Sequence, residues 1–263
     1  MRNDTQHPSR LHNFQPAARR AIRNSLCRYG LALSCLLGAL APQTAWGAAA
    51  TLLFEDDFNR GFPGWTAVQP PVTLGAYAAG PMRWQYDVVS EAFVENSNIY
   101  TTPAGGSDSG TAVMLINDAM TGDEFTFKAR LIAGDNDGFG LIFGFKDQFN
   151  FYRVTFTRDV RASSKFPGNG WRVDQRVNDV STILFGHGTP DFVYSFVNRK
   201  GVPFDVTIQV AAGHRLSLTV VDDPEGAPTE FKLVENQALP SSAAGQVGLM
   251  VWGQQGDAPP NGF

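Results

Sequence analysis

The chain reads as an all-β protein, a sandwich of two antiparallel sheets. Three observations point there. From Thr51 onward no stretch of ten or more residues keeps a helical period, whereas short alternating apolar and polar runs recur between turn signals. About a dozen such runs are too many for one open sheet, so they are expected to split into two packed ones. In the stretch from Gly134 to Thr157, two apolar runs flank Lys146-Asp147-Gln148 and read as strand, tight turn, strand at the centre of a sheet.

Residues 1–50 read as a leader apart from that fold. Arg19, Arg20, Arg23 and Arg28 form a basic flank, Gly30 to Ala41 is an apolar core, and Ala45 to Ala50 offers small-residue cleavage sites. The core is shorter than the roughly 20 apolar residues that span a bilayer, which argues for a cleaved secretory signal and against membrane insertion. Arg19-Arg20 fits a twin-arginine signal poorly, and the residues before Cys35 make a poor lipoprotein box. The expected location is secreted or periplasmic.

Both cysteines, Cys27 and Cys35, lie in the leader, so the remaining domain, 51–263, has no disulfide to rely on. At that length one domain buries roughly 70% of its unfolded surface without a staple. The leader also holds six of the 21 basic residues and one of the 25 acidic ones, which leaves 15 against 24, a net charge of −9. Nucleic acid is an unsuitable partner for such a surface, because phosphate neutralisation by Lys and Arg supplies most non-specific affinity. Divalent cations suit it better.

In chain order, Leu52 to Phe58 is expected to open the fold as a strand, followed by the turn-rich run to Trp65 and a Pro- and Gly-rich loop from Gln69 to Pro81. Strands are then expected at Met82–Val89, Ala92–Tyr100, Thr111–Asn117 and Glu124–Ile132. The last alternates cleanly, with Phe125, Phe127, Ala129 and Leu131 on one face. In the central hairpin Phe139, Leu141, Phe143 and Phe145 share a core face, opposite Gly138, Gly140, Ile142 and Gly144. Glycine at alternate positions suggests close approach of another backbone or layer. In its second strand Tyr152, Val154 and Phe156 oppose Phe151, Arg153, Thr155 and Thr157. Further strands are expected at Gly170–Asn178, Ser181–Phe185, Pro203–Ala211, Arg215–Asp222, Glu230–Val234 and Gln246–Trp252.

The order of these features resembles the laminin-G-like and thrombospondin C-terminal-like modules of the concanavalin A-like lectin/glucanase jelly-roll superfamily. LFEDDF with Trp65, MRWQYDVVSEAFVENSNIY, DGFGLIFGFKDQFNFYRVTF, GWRVDQRVNDVSTIL, FDVTIQVAAGHRLSLTVVDD and GQVGLMVWGQQG carry the resemblance. It covers nearly all of residues 51–263 and implies a jelly roll that binds carbohydrate or a cell surface. The family's last strand follows the tryptophan segment; here it is either missing or very short. The calcium-binding repeats that precede the thrombospondin module are absent from this chain.

Catalytic motifs mostly fail. Gly105-Gly106-Ser107-Asp108-Ser109 breaks the nucleophile elbow at its last position. His187 and His214, the only histidines after the leader, are far apart in sequence. The paired-carboxylate strand of jelly-roll glucanases has no counterpart, since Phe93 stands between Glu91 and Glu95. A polysaccharide lyase needs less: a base and a cation for the carboxyl-derived enolate. Arg153, Arg172, Gln175, Arg176 and His187 are candidates for one polar sheet face, or else the arginines are cross-strand partners of Asp147, Asp159, Asp174 and Asp179.

For binding, Trp171, flanked by Gly168-Asn169-Gly170, is the expected exposed sugar platform, with Arg153 and Arg172 beside it; Trp65 and Trp84 are expected in the core. Asp135, Asn136 and Asp137, with Asp56 and Asp57, form a candidate calcium site. The loop itself fails as an EF-hand, because Ala133 and Gly144 would fall on ligand positions. The function expected from the sequence is a non-catalytic, adhesion-type module for an extracellular glycan or surface protein. A lyase on the same fold is the alternative.

Overall fold

The structure, a computed structural model, describes residues 51–58, 61, 63–68, 84–87, 92–95, 113–134, 138–158, 170–190, 192, 195–252 and 261–262. Among these there is no helix. The strands are β1 Trp65–Val68, β2 Trp84–Asp87, β3 Ala92–Glu95, β4 Val113–Thr121, β5 Phe125–Ile132, β6 Gly138–Asp147 and β7 Asn150–Thr157. They continue with β8 Gly170–Val177, β9 Val180–Gly186, β10 Pro203–Ala211, β11 Arg215–Asp222, β12 Thr229–Ala238, β13 Gly245–Trp252 and β14 Asn261–Gly262.

They form two seven-stranded sheets, ordered β1-β4-β13-β6-β7-β8-β9 and β12-β11-β10-β5-β14-β3-β2, with every ladder antiparallel. Alternation builds the core between them. Phe204, Val206, Ile208 and Val210 of β10 and Leu216, Leu218 and Val220 of β11 meet Phe139, Leu141 and Phe143 of β6 and Tyr152, Val154 and Phe156 of β7. Trp65 and Trp84 belong to this core, as their sequence context suggests.

The first sheet has a second apolar cluster on its outer face: Met114, Ile116, Ile142, Phe145, Phe151 and Met250. Phe145 was expected on the core side. The change comes from Gly144, whose φ of 58° marks a break in the β6–β7 register between Phe143 and Asp147. That bulge turns Phe145 over to stack on Phe151 at 6.1 Å. The close approach suggested by the glycines is literal at Gly140, where a Cβ would lie 1.9 Å from the Val154 carbonyl oxygen.

Two other elements differ from expectation. Residues 51–58 form no strand, because the Asp56 side chain accepts the Phe58 N–H at 2.7 Å and Phe58 takes a φ of 57°, an alternative to the ladder. The last strand is present but only two residues long, and it lies inside the second sheet between β3 and β5 rather than at an edge. The hairpin turn after β6 falls one residue later than Lys146-Asp147-Gln148, and Asp147 caps it by accepting the Phe149 N–H at 2.7 Å.

Candidate functional site

β7 and β8 set the chemistry. Their register places Arg153 opposite Asp174, and the two-residue period of a strand puts Arg172 on the same face as Asp174. Both guanidiniums donate through Nε to one oxygen, Asp174 Oδ2, Arg153 at 3.1 Å and Arg172 at 2.9 Å. Asp174 Oδ1 is buried and has no hydrogen-bond partner. Arg153 and Arg172 are 3% exposed and Asp174 is 0%. Thr155 and Thr157 line the same face of β7, and both are buried.

Arg176 completes the row. It pairs with Asp179 in the β8–β9 turn, and its guanidinium lies 5.8 Å from the centre of the Phe151 ring. The outer face of the first sheet is therefore apolar over β4, β13, β6 and Phe151 at the start of β7, and cationic and hydroxyl-bearing over the rest of β7 and β8. The cross-strand reading of these arginines holds for Arg153 and Asp174, whereas Arg172 pairs with Asp174 within β8 and Arg176 with Asp179 in the turn that follows it.

Gln175 and Tyr152 face the other way, into the sandwich. The Tyr152 hydroxyl lies 2.8 Å from Ser241 Oγ and donates to the Ser241 carbonyl at 2.9 Å, while Gln175 Nε2 donates to it at 3.0 Å. Burial raises the Tyr152 pKa, against hydrogen bonds that lower it, so the phenol stays protonated and ill-suited to act as a base. Gln175 thus leaves the group of polar-face candidates.

His187 follows β9 in a turn; its backbone N–H donates to the Trp171 carbonyl at 3.0 Å, and its ring lies 5.3 Å from that of Phe192. Partial burial pushes the imidazole below its usual pKa, and the Arg172 charge lowers it further. A neutral imidazole beside a guanidinium suits a proton acceptor.

Trp171 is not the exposed platform expected. It points inward from β8, 4% exposed, and packs edge-on against Phe192 at 5.8 Å. Period two explains the error: Arg172 and Asp174 take the outer face, so Trp171 and Val173 must take the core.

Asp56 is committed locally, with Oδ1 on the Phe58 N–H and Oδ2 accepting Trp65 Nε1 at 2.8 Å. It therefore leaves the calcium candidates, and its role is to tie the opening segment to β1. Asp57 is exposed. Asp135, Asn136 and Asp137 lie outside the described residues. Among the described residues no group of three or more His, Cys, Asp or Glu is arranged to hold a metal. A serine nucleophile is likewise not assembled at Ser242, which donates to Asp123 at 2.5 Å while His214 is 3.8 Å from that same oxygen.

The sequence named Asp174 only as one of four possible partners and did not single out Thr155 and Thr157. The signal was in Arg172-Val173-Asp174, where an i, i+2 pair of opposite charge on a strand shares a face.

No protein-family model matches the chain, and no curated protein does. Solved structures similar to it include lectin II from Ulex europaeus, 12% identical over 75% of this chain and 94% of that one, with a TM-score of 0.44. The catalytic domain of a GH131 β-glucanase from Podospora anserina is 13% identical over 81% and 91%, with a TM-score of 0.41. The CBM2 module of the evolved Dit of Lactobacillus casei BL23 phage J-1 is 13% identical over 78% and 90%, with a TM-score of 0.40. No ligand or reaction is carried over from them.

Proposed function

We propose that the chain is an exported, non-catalytic β-sandwich module that binds an extracellular glycan on the outer face of its first sheet. The observation that carries the reading is the shared carboxylate: Arg153 and Arg172 both bind Asp174 Oδ2, while Oδ1 has no partner. A saccharide presents what this set accepts, a hydroxyl donor for Asp174 Oδ1 on a face whose cationic character also suits a carboxylate. The groups stand on β7 and β8, each paired on both sides, so their positions are fixed before a ligand arrives. Their burial sets a condition: a ligand reaches them only once this face is uncovered.

Retention on immobilised polysaccharides, neutral and uronic-acid-containing, tests the reading. Retention that disappears in Arg172→Lys supports it, whereas retention only on a surface protein would move the module to an adhesion role without glycan. Export rests on the leader, and release of a mature chain beginning near Thr51 would support it. Calcium held by Asp135, Asn136 and Asp137 with Asp57 belongs to the same proposal, and metal-dependent melting tests it.

A lyase is the second reading, favoured by His187 beside Arg172. Absorbance from an unsaturated uronate product, lost in His187→Ala, would make the protein an enzyme. Its absence on every uronate polymer that the protein retains would leave binding alone.

A further inference from the structure

Three connections meet where β4 turns into β5, β10 into β11 and β12 into β13. They meet at one carboxylate oxygen. Ser242, between β12 and β13, donates its hydroxyl to Asp123 Oδ1 at 2.5 Å, and His214 Nδ1, from the β10–β11 turn, lies 3.8 Å from that same oxygen.

Each of the three groups is held by its own backbone. The Ser242 hydroxyl accepts the Ala244 N–H at 3.1 Å, which leaves its hydrogen for Asp123. The neighbouring Ser241 is tied through its carbonyl to the Tyr152 hydroxyl, so the connection is anchored on both sides. His214 ends its turn with a φ of 58°, after Gly213 at 73°, and its carbonyl accepts the Leu239 N–H at 2.9 Å.

The imidazole nitrogen that faces Asp123 is the atom left over. Nδ1 is shut off from solvent and has no hydrogen-bond partner, and 3.8 Å is beyond the reach of a direct bond to Oδ1. In a neutral ring with its hydrogen on Nε2, a lone pair on Nδ1 and a carboxylate oxygen then confront each other. A cation between them removes that repulsion. An ion bonded to both at about 2.0–2.1 Å spans the gap, since two such bonds reach about 4 Å end to end.

We propose that His214 Nδ1 and Asp123 are the protein ligands of a divalent transition-metal site, with zinc the ion that suits them best. One imidazole and one carboxylate make a mixed nitrogen and oxygen set, which calcium and magnesium, as oxygen binders, do not seek. Ser242 orients the carboxylate, the part that hydrogen-bonded neighbours of metal ligands commonly take. Both ligand side chains reach solvent, 37% and 65% exposed, so water completes the four positions of a tetrahedral ion. The site shares no residue with the calcium candidates Asp135, Asn136, Asp137 and Asp57. Residues 51–263 contain no cysteine, and a bound ion here would tie the three connections together without a disulfide.

Calorimetric titration of zinc chloride into the metal-stripped, untagged mature chain tests the site. The expected result is uptake of zinc by the wild type, and binding weakened by at least about tenfold in His214→Asn and in Asp123→Asn. Asparagine accepts the left-handed turn at position 214 and keeps an acceptor for Ser242 at position 123, so both variants should retain the wild-type circular dichroism. A second measurement needs no variant: in the NMR spectrum the ring signals of His214 should shift on zinc addition while those of His187 stay. No zinc uptake by the wild type, wild-type affinity in either folded variant, or a shift confined to His187 would each overturn the proposal.

Discussion

Arg153 Nε and Asp174 Oδ2 stand 3.1 Å apart across the β7–β8 ladder, with both side chains almost wholly buried. One carboxylate thereby answers two guanidiniums, since Arg172 donates to the same oxygen. Removing that anion takes away a buried counter-charge that both guanidiniums share. Breaking a buried pair from one side typically costs about 3 to 5 kcal/mol. Asp174→Asn is therefore expected to unfold at markedly lower urea than the wild type; a midpoint unchanged within error would show that the arginines are neutralised elsewhere.

Gly140 stands where the backbone of β7 leaves no room for a side chain on β6. A methyl group there would meet the Val154 carbonyl oxygen at 1.9 Å, and backbone cannot step aside as a side chain can. Gly140→Ala is expected to destabilise by about 1 to 3 kcal/mol, the usual cost of overpacking. Gly122→Ala, with nothing within 4 Å, serves as its control and should stay within about 0.5 kcal/mol of wild type. Equal denaturation midpoints for the two variants would contradict the packing at Gly140.

Much of the fold was legible because antiparallel strands advertise themselves by alternation. β10 and β11 begin and end where the pattern predicts, since each buries every second side chain against the opposite sheet. What stayed hidden was non-local or conformational. Gly144 alone does not announce a bulge, yet it reverses Phe145. Asp56 reads as a strand residue until its carboxylate is seen to capture the Phe58 N–H. The outer face of β7 and β8 reads as wet, because arginine and threonine alternate with apolar residues, yet Arg153, Arg172, Asp174, Thr155 and Thr157 are almost wholly buried there. The candidate site was half visible: Arg153 and Arg172 were singled out, but the ladder register that joins them to Asp174 is a property of the hairpin.

Trp171 now belongs to the core, and its truncation has a different signature from that of a sugar platform. Trp171→Ala is expected to cost about 3 to 5 kcal/mol, as aromatic truncation in a core does. Thermal unfolding should fall by many degrees. A variant that melts like the wild type and only loses glycan would restore the platform role.

His187 gives the stability a pH dependence. Its folded pKa is lowered, first by burial and then by Arg172, so the unfolded chain takes the proton more readily. Its contribution is complete above the unfolded value of about 6.5. As pH falls through that value stability declines, and the decline ends below the lower folded pKa. His187→Gln should flatten the unfolding midpoint between neutral and mildly acidic pH; an unaltered slope would place the titration in another group.

Calcium, if held by Asp135, Asn136 and Asp137 with Asp57, stabilises the folded state by its binding free energy, about 2.7 kcal/mol at a hundredfold excess over the dissociation constant. Melting of metal-stripped protein should rise with calcium and lose that rise in Asp135→Ala or Asp137→Ala. Superimposable curves with calcium and with chelator would remove the ion from the proposal.

The glycan reading stands or falls on retention of the mature chain by a panel of immobilised polysaccharides, scored beside Arg153→Lys and Arg172→Lys. Lysine keeps the charge but not the planar, two-sided donor fork, so the fold should survive while sugar recognition weakens. The account expects at least one polysaccharide to retain the wild type, and both variants, folded by circular dichroism, to elute earlier from it. No retention across the panel, or equal retention of wild type and both variants, would contradict glycan binding at the Arg153–Asp174–Arg172 face.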